Sequence, residues 1–259
     1  MSDAQHQSLI RDQFTRQARP FSSAAPIADA EALNMIVAAG EPGADDTVLD
    51  IACGPGLVAC AFAPRVCRVT GIDLTPAMLD RARQLAAAKG VTNVVWQEGD
   101  VGALPYAEAS FTIVVTRFSF HHFLDPASVL HEMVRVCAPG GRLVVADTCA
   151  SEEPSKAAAF NRLEKLRDPS HVRSLTLSEL TGLFRHAGLG EPQAAFYELR
   201  DEVRNLLARS FPNPGDEQKI VEMFRASAAD DRLGIPVERD GDTIRYAYPV
   251  AILRARRPA

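Results

Sequence analysis

The 259-residue sequence has little of what an extracellular, membrane-spanning or nucleic-acid-binding protein needs. Its five cysteines, Cys53, Cys60, Cys67, Cys137 and Cys149, are odd in number and form no C-x-x-C pair. That argues against a disulfide framework or a zinc site and predicts reduced, buried thiols with no bound metal. No run of 18 apolar residues occurs, and residues 1–19 are polar without an apolar core segment, so neither a membrane span nor a secretory leader is expected. Cytoplasmic residence is the expectation. Positive charge is scarce: 28 Lys and Arg stand against 33 Asp and Glu, a formal net charge of −5 with the signs interspersed. A phosphate backbone calls for a basic face, so no nucleic-acid partner is expected, and Arg254, Arg256 and Arg257 are too few to make a binding tail. Low-complexity tracts and disordered linkers are missing as well, which predicts a single unit over 1–259, working as a monomer or homodimer.

What the sequence does contain is a regular alternation of strand-like and helix-like stretches. Residues 8–21 carry Leu9, Ile10, Phe14, Ala18 and Phe21 at helical spacing, as either a packed helix or a flap over a ligand. Asp29 caps a second helix that ends at Gly40, so 1–40 reads as an N-terminal helical arm. Five strand patterns then follow: Val48–Ile51, Arg68–Asp73, Val94–Trp96, Phe111–Phe118 and Leu143–Ala146. Between them lie helices opened at Thr75-Pro76 and Asp125-Pro126, with Pro139-Gly140-Gly141 ending the latter. Beyond Thr148 come a charged helix, a capping box at Thr176-x-x-Glu179, a strand over 194–199, a helical insertion about 200–240 and a closing strand over 244–254. The pattern predicts an α/β fold: a doubly wound, Rossmann-like sheet of about seven strands, mostly parallel with an antiparallel last strand. Residues 45–150 would be its cofactor-binding core and 151–259 the acceptor-side half. A ligand should lie outside the carboxyl ends of the strands.

The core is organised around Val48-Leu49-Asp50-Ile51-Ala52-Cys53-Gly54-Pro55-Gly56, a buried strand that breaks into a glycine turn before a helix. Glycines let the backbone approach a ligand, and the helix N-terminus aims its amides at the same place. Gly54-Pro55-Gly56-Leu57-Val58-Ala59 satisfies G-x-G-x-x-A, which taken alone suggests a dinucleotide. Asp50, at the end of the strand, argues otherwise: a carboxylate there repels a pyrophosphate but holds an ammonium or sulfonium group. Asp73 ends the second strand, where an acid accepts ribose hydroxyls, and Asp100 follows the third, where it accepts from an adenine amine. Three acids at three successive strand ends point to a cofactor rich in donors.

Asp50-x-x-Cys53-Gly54-x-Gly56, Gly71-Ile72-Asp73, Glu98-Gly99-Asp100-Val101 and Arg135-Val136-x-x-Pro139-Gly140-Gly141 resemble the successive motifs of class I S-adenosylmethionine-dependent methyltransferases. Within that family the chain is similar to the ubiquinone/menaquinone-type small-molecule branch, and Asp168-Pro169-Ser170-His171-Val172-Arg173 resembles a segment found there. The resemblance covers residues 48–147 and implies S-adenosylmethionine as cofactor, with S-adenosylhomocysteine as product. It implies that Asp50, Gly54 and Gly56, with Ala52 and Cys53 in the same turn, cradle the methionine portion. Asp73 would hold the ribose, Gly99, Asp100 and Val101 the adenine, and Leu74 and Met78 would flank the adenosine. Arg117 and Phe118 would lie near the methionine tail. Cys53 is a departure, standing where the family more often has glycine.

Methyl transfer is an in-line displacement, so positioning of nucleophile and methyl is the main requirement. When the acceptor is a phenol, enol or activated carbon, its proton must leave, a task suited to histidine. His121 and His122 follow the fourth strand in Phe118-Ser119-Phe120-His121-His122-Phe123, and in an extended chain only one of them would face a pocket. His171 is the rival, positioned to meet an acceptor together with Arg173. Phe14, Phe21, Phe118, His122 and Arg173 are the expected acceptor contacts. His6 reads as a disordered terminal residue, His131 and His186 as helix-surface residues, and Tyr246 and Tyr248 as half-buried strand residues without chemistry.

The expected activity is therefore O- or C-methylation of a phenol, quinol or similar small molecule. The alternatives are a nicotinamide-dependent oxidoreductase, disfavoured by Asp50 and by the lack of a Tyr-x-x-x-Lys pair, and a protein that uses the same cofactor fold without transferring the methyl.

Overall fold

The computed structural model describes residues 2–22 and 24–259. Its first half runs α1 (Asp3–Ser22), α2 (Ala30–Ala39), β1 (Thr47–Ile51), α3 (Leu57–Phe62), β2 (Arg68–Asp73), α4 (Pro76–Ala88), β3 (Val94–Glu98), β4 (Phe111–Arg117), α5 (Pro126–Val136) and β5 (Cys137–Thr148). The second half adds α6 (Pro154–Arg167), α7 (Leu177–His186), β6 (Gln193–Glu202), α8 (Val203–Ala208), α9 (Asp216–Asp230), β7 (Val237–Asp240) and β8 (Thr243–Arg256). The strands form one eight-stranded sheet in the order β3-β2-β1-β4-β5-β8-β6, with β7 paired to β8. Pairing is parallel from β3 through β5 and antiparallel at β8, as the alternation of the sequence predicts.

Burial explains why β1 lies at the centre. Val48, Leu49 and Ile51 are fully buried because both faces of the sheet are covered. Val48 packs with α2 and α3 through Ile36, Val37 and Phe62, while Leu49 and Ile51 pack on the other face with Leu130 and Met133 of α5. Each such side chain contributes about 1.5–3 kcal/mol on leaving water. A third apolar cluster joins α6, α8 and α9 to β6 and β8 through Phe160, Leu206, Phe224 and Tyr246. No helix among the described residues is long and apolar enough to cross a membrane.

Several elements differ from expectation. The stretch 237–240 falls within the expected helical insertion but forms β7, a hairpin with β8 turned at Gly241, whose φ is +59°. β5 starts at Cys137, taking in Pro139-Gly140-Gly141, because a register shift opposite Phe111–Ile113 lets the strand absorb them. α1 begins at Asp3, ahead of residue 8, and its most buried residues are His6, Gln13, Gln17 and Ala18, with Phe14 and Phe21 half-buried. Thr75 holds the N-cap position of α4, but its hydroxyl makes no capping bond; Pro76 removes one donor that would need it. Cys53, Cys60, Cys137 and Cys149 are buried free thiols, whereas Cys67 is exposed just ahead of β2.

Candidate active site

A cavity of about 380 Å³ opens at the ends of β1, β2 and β4, and α1 closes its other side with His6, Gln7, Ile10 and Phe14. Its volume lies in the range of small-molecule sites. The strand-end acids meet on its rim, each held by nearby backbone amides. Asp50 accepts from the Ala59 amide at 2.9 Å, and its second oxygen has no hydrogen-bond partner among the described residues. Asp73 accepts from the amides of Gly54 and Thr75, both at 2.8 Å. Asp100 is exposed; it accepts from Gly102 at 2.9 Å and from the Gln7 side chain of α1 at 2.7 Å, which ties the roof to the rim.

Burial dominates the electrostatics of Asp50. It is 1% exposed, and loss of water pushes its pKa up to about 8, against the Ala59 amide and Arg117 and with the help of nearby Asp73. Burial also raises Asp73. A rim that disfavours its own negative charges is suited to a ligand that brings a cation and hydroxyl donors. Arg117 does not neutralise them fully: its guanidinium is engaged by the Ile27 carbonyl at 2.7 Å and the Tyr197 hydroxyl, and stacks on Phe118 at 4.4 Å.

The glycine turn fits a ligand by shape. Gly54 has φ +52°, and a Cβ built there meets nothing within 4 Å, so the turn faces open space in the cavity. Gly56 combines φ +79° with a close approach; a Cβ would stand 2.5 Å from the Trp96 ring. Within the turn the left-handed residue is Ala52, at φ +49°, while the Cys53 amide pairs with the Ile72 carbonyl at 3.0 Å. An alanine held there costs about 1–2 kcal/mol. Of the other expected cofactor residues, Leu74, Met78, Val101, Arg117 and Phe118 line the cavity, and Gly99 lies beside it, its amide on the Asp73 carbonyl. Phe118 is also left-handed, at φ +56°, a strained conformation that brings its ring between two cavities.

The second cavity, of about 70 Å³, shares Phe14, Phe21, Ile27, Phe118 and His122 with the first. Its remaining wall includes His121, Glu164, Arg167, Arg209, Tyr246 and Tyr248. The extended-chain argument for a single inward histidine does not hold, because Phe120–His122 is a 3-10 turn. Both rings are buried with centroids 4.4 Å apart. The His121 Nδ1–H donates to Asp147 at 2.6 Å, and the His122 Nδ1–H donates to the Ser170 carbonyl at 3.2 Å. Burial opposes a proton on His121, but the Asp147 carboxylate outweighs it and the pKa is raised; burial and the neighbouring His121 push His122 down to about 3.

His171 lines neither cavity. Its Nε2–H donates to Asn161 at 2.9 Å in a fully buried setting, and the backbone of 172–173 pairs with the His121 carbonyl, so the segment 168–173 braces the histidine turn. Arg173 pairs with Glu179 at the surface and lines neither cavity, so it does not stand at the acceptor position expected of it. His6 is not a loose end: it is 4% exposed and its Nε2–H donates to the His122 carbonyl at 2.7 Å. His131 and His186 are exposed on their helices.

Sequence reasoning missed Asp147, Glu164, Arg167, Arg209, Tyr246 and Tyr248. Asp147 carried the same signal as Asp50 and Asp73, an acid directly after a strand's apolar run. Tyr246 and Tyr248 are buried, and the Tyr248 hydroxyl donates to Glu164 at 2.6 Å, which also receives Arg167 at 2.6 Å.

Comparison with known proteins agrees with this geometry. The methyltransferase-domain family matches residues 49–145. The Bacillus subtilis methyltransferase YcgJ is 31% identical over 244 residues, covering 93% of this chain and 96% of its own. Its crystal structure superposes with a TM-score of 0.82 over 88% of this chain and 99% of that one, at 29% identity. A demethylmenaquinone methyltransferase of Deinococcus radiodurans is 46% identical over 101 residues, 38% of this chain and 41% of its own. The 27-O-demethylrifamycin SV methyltransferase of Amycolatopsis mediterranei is 36% identical over 156 residues, 59% and 56% of the two chains. These relatives decide against the nicotinamide alternative. With a sheet of this order and a glycine turn flanked by Asp50 and Asp73, the chain belongs to the class I S-adenosylmethionine-dependent methyltransferases, in their quinone-type branch.

Proposed function

We propose that the protein binds S-adenosylmethionine in the larger cavity and methylates a small molecule held between that cavity and the smaller one. The observation that carries this reading is the convergence of Asp50, Asp73 and Asp100 on one rim beside the open space over Gly54. Asp50 would hold the cationic methionine end together with the turn from Ala52 to Gly56. Asp73 would accept the ribose hydroxyls, Asp100 with Gly99 and Val101 would receive the adenine, and Leu74 and Met78 would flank the adenosine. When bound, the cofactor supplies a methyl group on a sulfonium, an electrophile that needs no metal.

The chain's own residues do the rest. α1 excludes water, with its roof fastened by Gln7 to Asp100 and by His6 to the His122 carbonyl. Phe14, Phe21, Phe118 and His122 wall the passage between the two cavities and would orient the acceptor. The relatives named for demethylmenaquinone and 27-O-demethylrifamycin SV support a small-molecule acceptor.

Isothermal titration of the protein with S-adenosylmethionine and S-adenosylhomocysteine tests the reading. Binding of both at one site is expected, and absence of heat from a folded sample rejects it. A protein that uses the fold without transferring the methyl would bind the cofactor yet form no demethylated product with any bound acceptor.

A further inference from the structure

The lining of the smaller cavity combines apolar side chains, Phe14, Phe21, Phe118 and Leu206 among them, with a polar cluster from α6, β8 and the turn after α8. The acids of that cluster are engaged. Glu164 accepts from Arg167 on one oxygen and from the Tyr248 hydroxyl on the other, and Asp168 accepts from the Ser170 amide and the Gln17 side chain. Asp201, which does not line the cavity, accepts from Arg209 and Asn205. What remains unspent on Arg167, Arg209 and Tyr246 is donors. Arg167 Nη1 and Arg209 Nε make no hydrogen bond among the described residues. The Tyr246 oxygen accepts from Arg209 Nη2 at 3.2 Å, and the hydroxyl's own hydrogen has no acceptor among the described residues. Tyr246 is 3% exposed, and burial raises its pKa against the pull of Arg209, so the hydroxyl keeps that hydrogen.

We propose that Tyr246 is a specificity-determining residue whose hydroxyl donates to an uncharged oxygen of the acceptor, with a carbonyl as the group that fits; the inference rests on the methyl-transfer reading above. Tyr246 lines the smaller cavity and not the larger, so the oxygen it binds is a recognition group apart from the atom that meets the cofactor. A carbonyl oxygen brings two lone pairs and no hydrogen, which matches a cluster whose spare valences are donors. Charge excludes the anionic alternative. Arg167 and Arg209 stand against Glu164 and Asp168 in the lining and Asp201 behind Arg209, two guanidiniums for three carboxylates. A carboxylate entering there would add negative charge to a buried cluster with no spare cation, a desolvation cost that a neutral carbonyl escapes.

Tyr248 supplies the contrast. Its ring lies 4.5 Å from that of Tyr246, centroid to centroid, and it lines the same cavity, but its hydrogen is already given to Glu164 at 2.6 Å. Two neighbouring tyrosines therefore differ in one respect, the availability of the O–H. Arg209 fixes the Tyr246 oxygen from behind: it reaches Tyr246 through Nη2 and Asp201 through Nη1, and Asp201 is itself held by Asn205 at 2.9 Å. A hydroxyl that accepts from a guanidinium is polarised into a stronger donor. Left without an acceptor such a buried donor is destabilising, and an acceptor oxygen seated on it removes that cost.

The test uses the S-adenosylhomocysteine complex and three probes of one skeleton: 1-indanone, indane and indane-1-carboxylate. Bound 1-indanone should show its carbonyl infrared band, isolated by difference against the carbon-13 carbonyl form, at a lower frequency than in hexane. Tyr246→Phe should weaken 1-indanone by roughly three- to tenfold, return the band toward its hexane position and leave indane within about twofold. Tyr248→Phe should keep the lowered band. Indane-1-carboxylate should bind at least about tenfold more weakly than 1-indanone. If Tyr246→Phe does not fold, the wild-type band and the ranking of the three probes still decide. No binding of 1-indanone, a band at its hexane position, a lowered band that survives Tyr246→Phe, loss of the lowered band in Tyr248→Phe alone, or tighter binding of the carboxylate overturns the proposal. Failure of S-adenosylhomocysteine itself to bind would instead overturn the methyl-transfer reading.

Discussion

The acid-lined rim of the larger cavity and the smaller chamber share Phe118 and His122, yet they are assembled in different ways. On the rim each acid is held by amides close by in sequence: Asp50 by Ala59, nine residues on, and Asp73 by Thr75 and Gly54, two and nineteen residues away. In the chamber, remote partners are added to local ones: Arg167 and Ser170 hold Glu164 and Asp168 from two or three residues away, while Gln17 reaches Asp168 across 151 residues and Tyr248 reaches Glu164 across 84. The rim is thus a property of strand ends and turns, whereas the chamber exists only after α1, α6 and β8 have been brought together. A fold can keep the first constant and change the second, which suits a family with one cofactor and many acceptors.

That contrast can be broken most forcefully at Arg167. Arg167→Met leaves Glu164 buried with the Tyr248 hydroxyl as its remaining hydrogen-bond partner among the described residues, which should cost about 3–5 kcal/mol in denaturant unfolding. If the two regions are separable, affinity for S-adenosylhomocysteine stays within about threefold; a larger loss would show that the chamber supports the rim. The reverse test is Asp50→Ala, expected to weaken cofactor binding by about 2–3 kcal/mol, roughly 30- to 150-fold. Circular dichroism should show the fold retained, and unchanged affinity would mean that the turn around Asp50 does not hold the cation.

The pH dependence sharpens the comparison. With its pKa near 8, Asp50 carries a proton at pH 7 in the ligand-free protein and must lose it to pair with a cation. Affinity for S-adenosylmethionine should therefore rise between pH 6 and 8, by up to about tenfold per unit, and level off above. Calorimetry in buffers of different ionisation enthalpy should register release of about one proton at pH 7. His122, held near 3 by burial, stays neutral throughout and adds nothing to this trend. The smallest effect belongs to the turn: Ala52→Gly relieves the left-handed alanine and should raise stability by up to about 1 kcal/mol, offset by greater freedom in the unfolded chain. A thermal melt that falls by several degrees would show that the Ala52 methyl is needed for packing.

Asp50, Asp73 and the glycines were legible because strand, turn and acid are adjacent in the chain and each residue's local geometry limits what can stand there. The doubly wound core was legible for the same reason, since apolar runs bounded by glycine, proline and caps fix where strands and helices begin. His121 was visible as a candidate but not as a choice, because an extended chain and a 3-10 turn send neighbouring side chains in different directions. The glutamines of α1 were invisible as a buried face, since a polar helix side is read as solvated until Asp168 and the Phe211 carbonyl are seen beneath Gln17 and Gln13.

By itself, then, the sequence determined the alternating sheet, the acids at its strand ends and the cofactor class they fit, all of which follow from contacts within a few tens of residues. The tertiary structure alone decided that Asp147 stands behind His121, that Tyr246 and Tyr248 wall a chamber, and that Arg173 faces outward. Those outcomes depend on which side chains the closed sheet and its covering helices bring within hydrogen-bond reach, and burial makes each such pairing strong enough to hold.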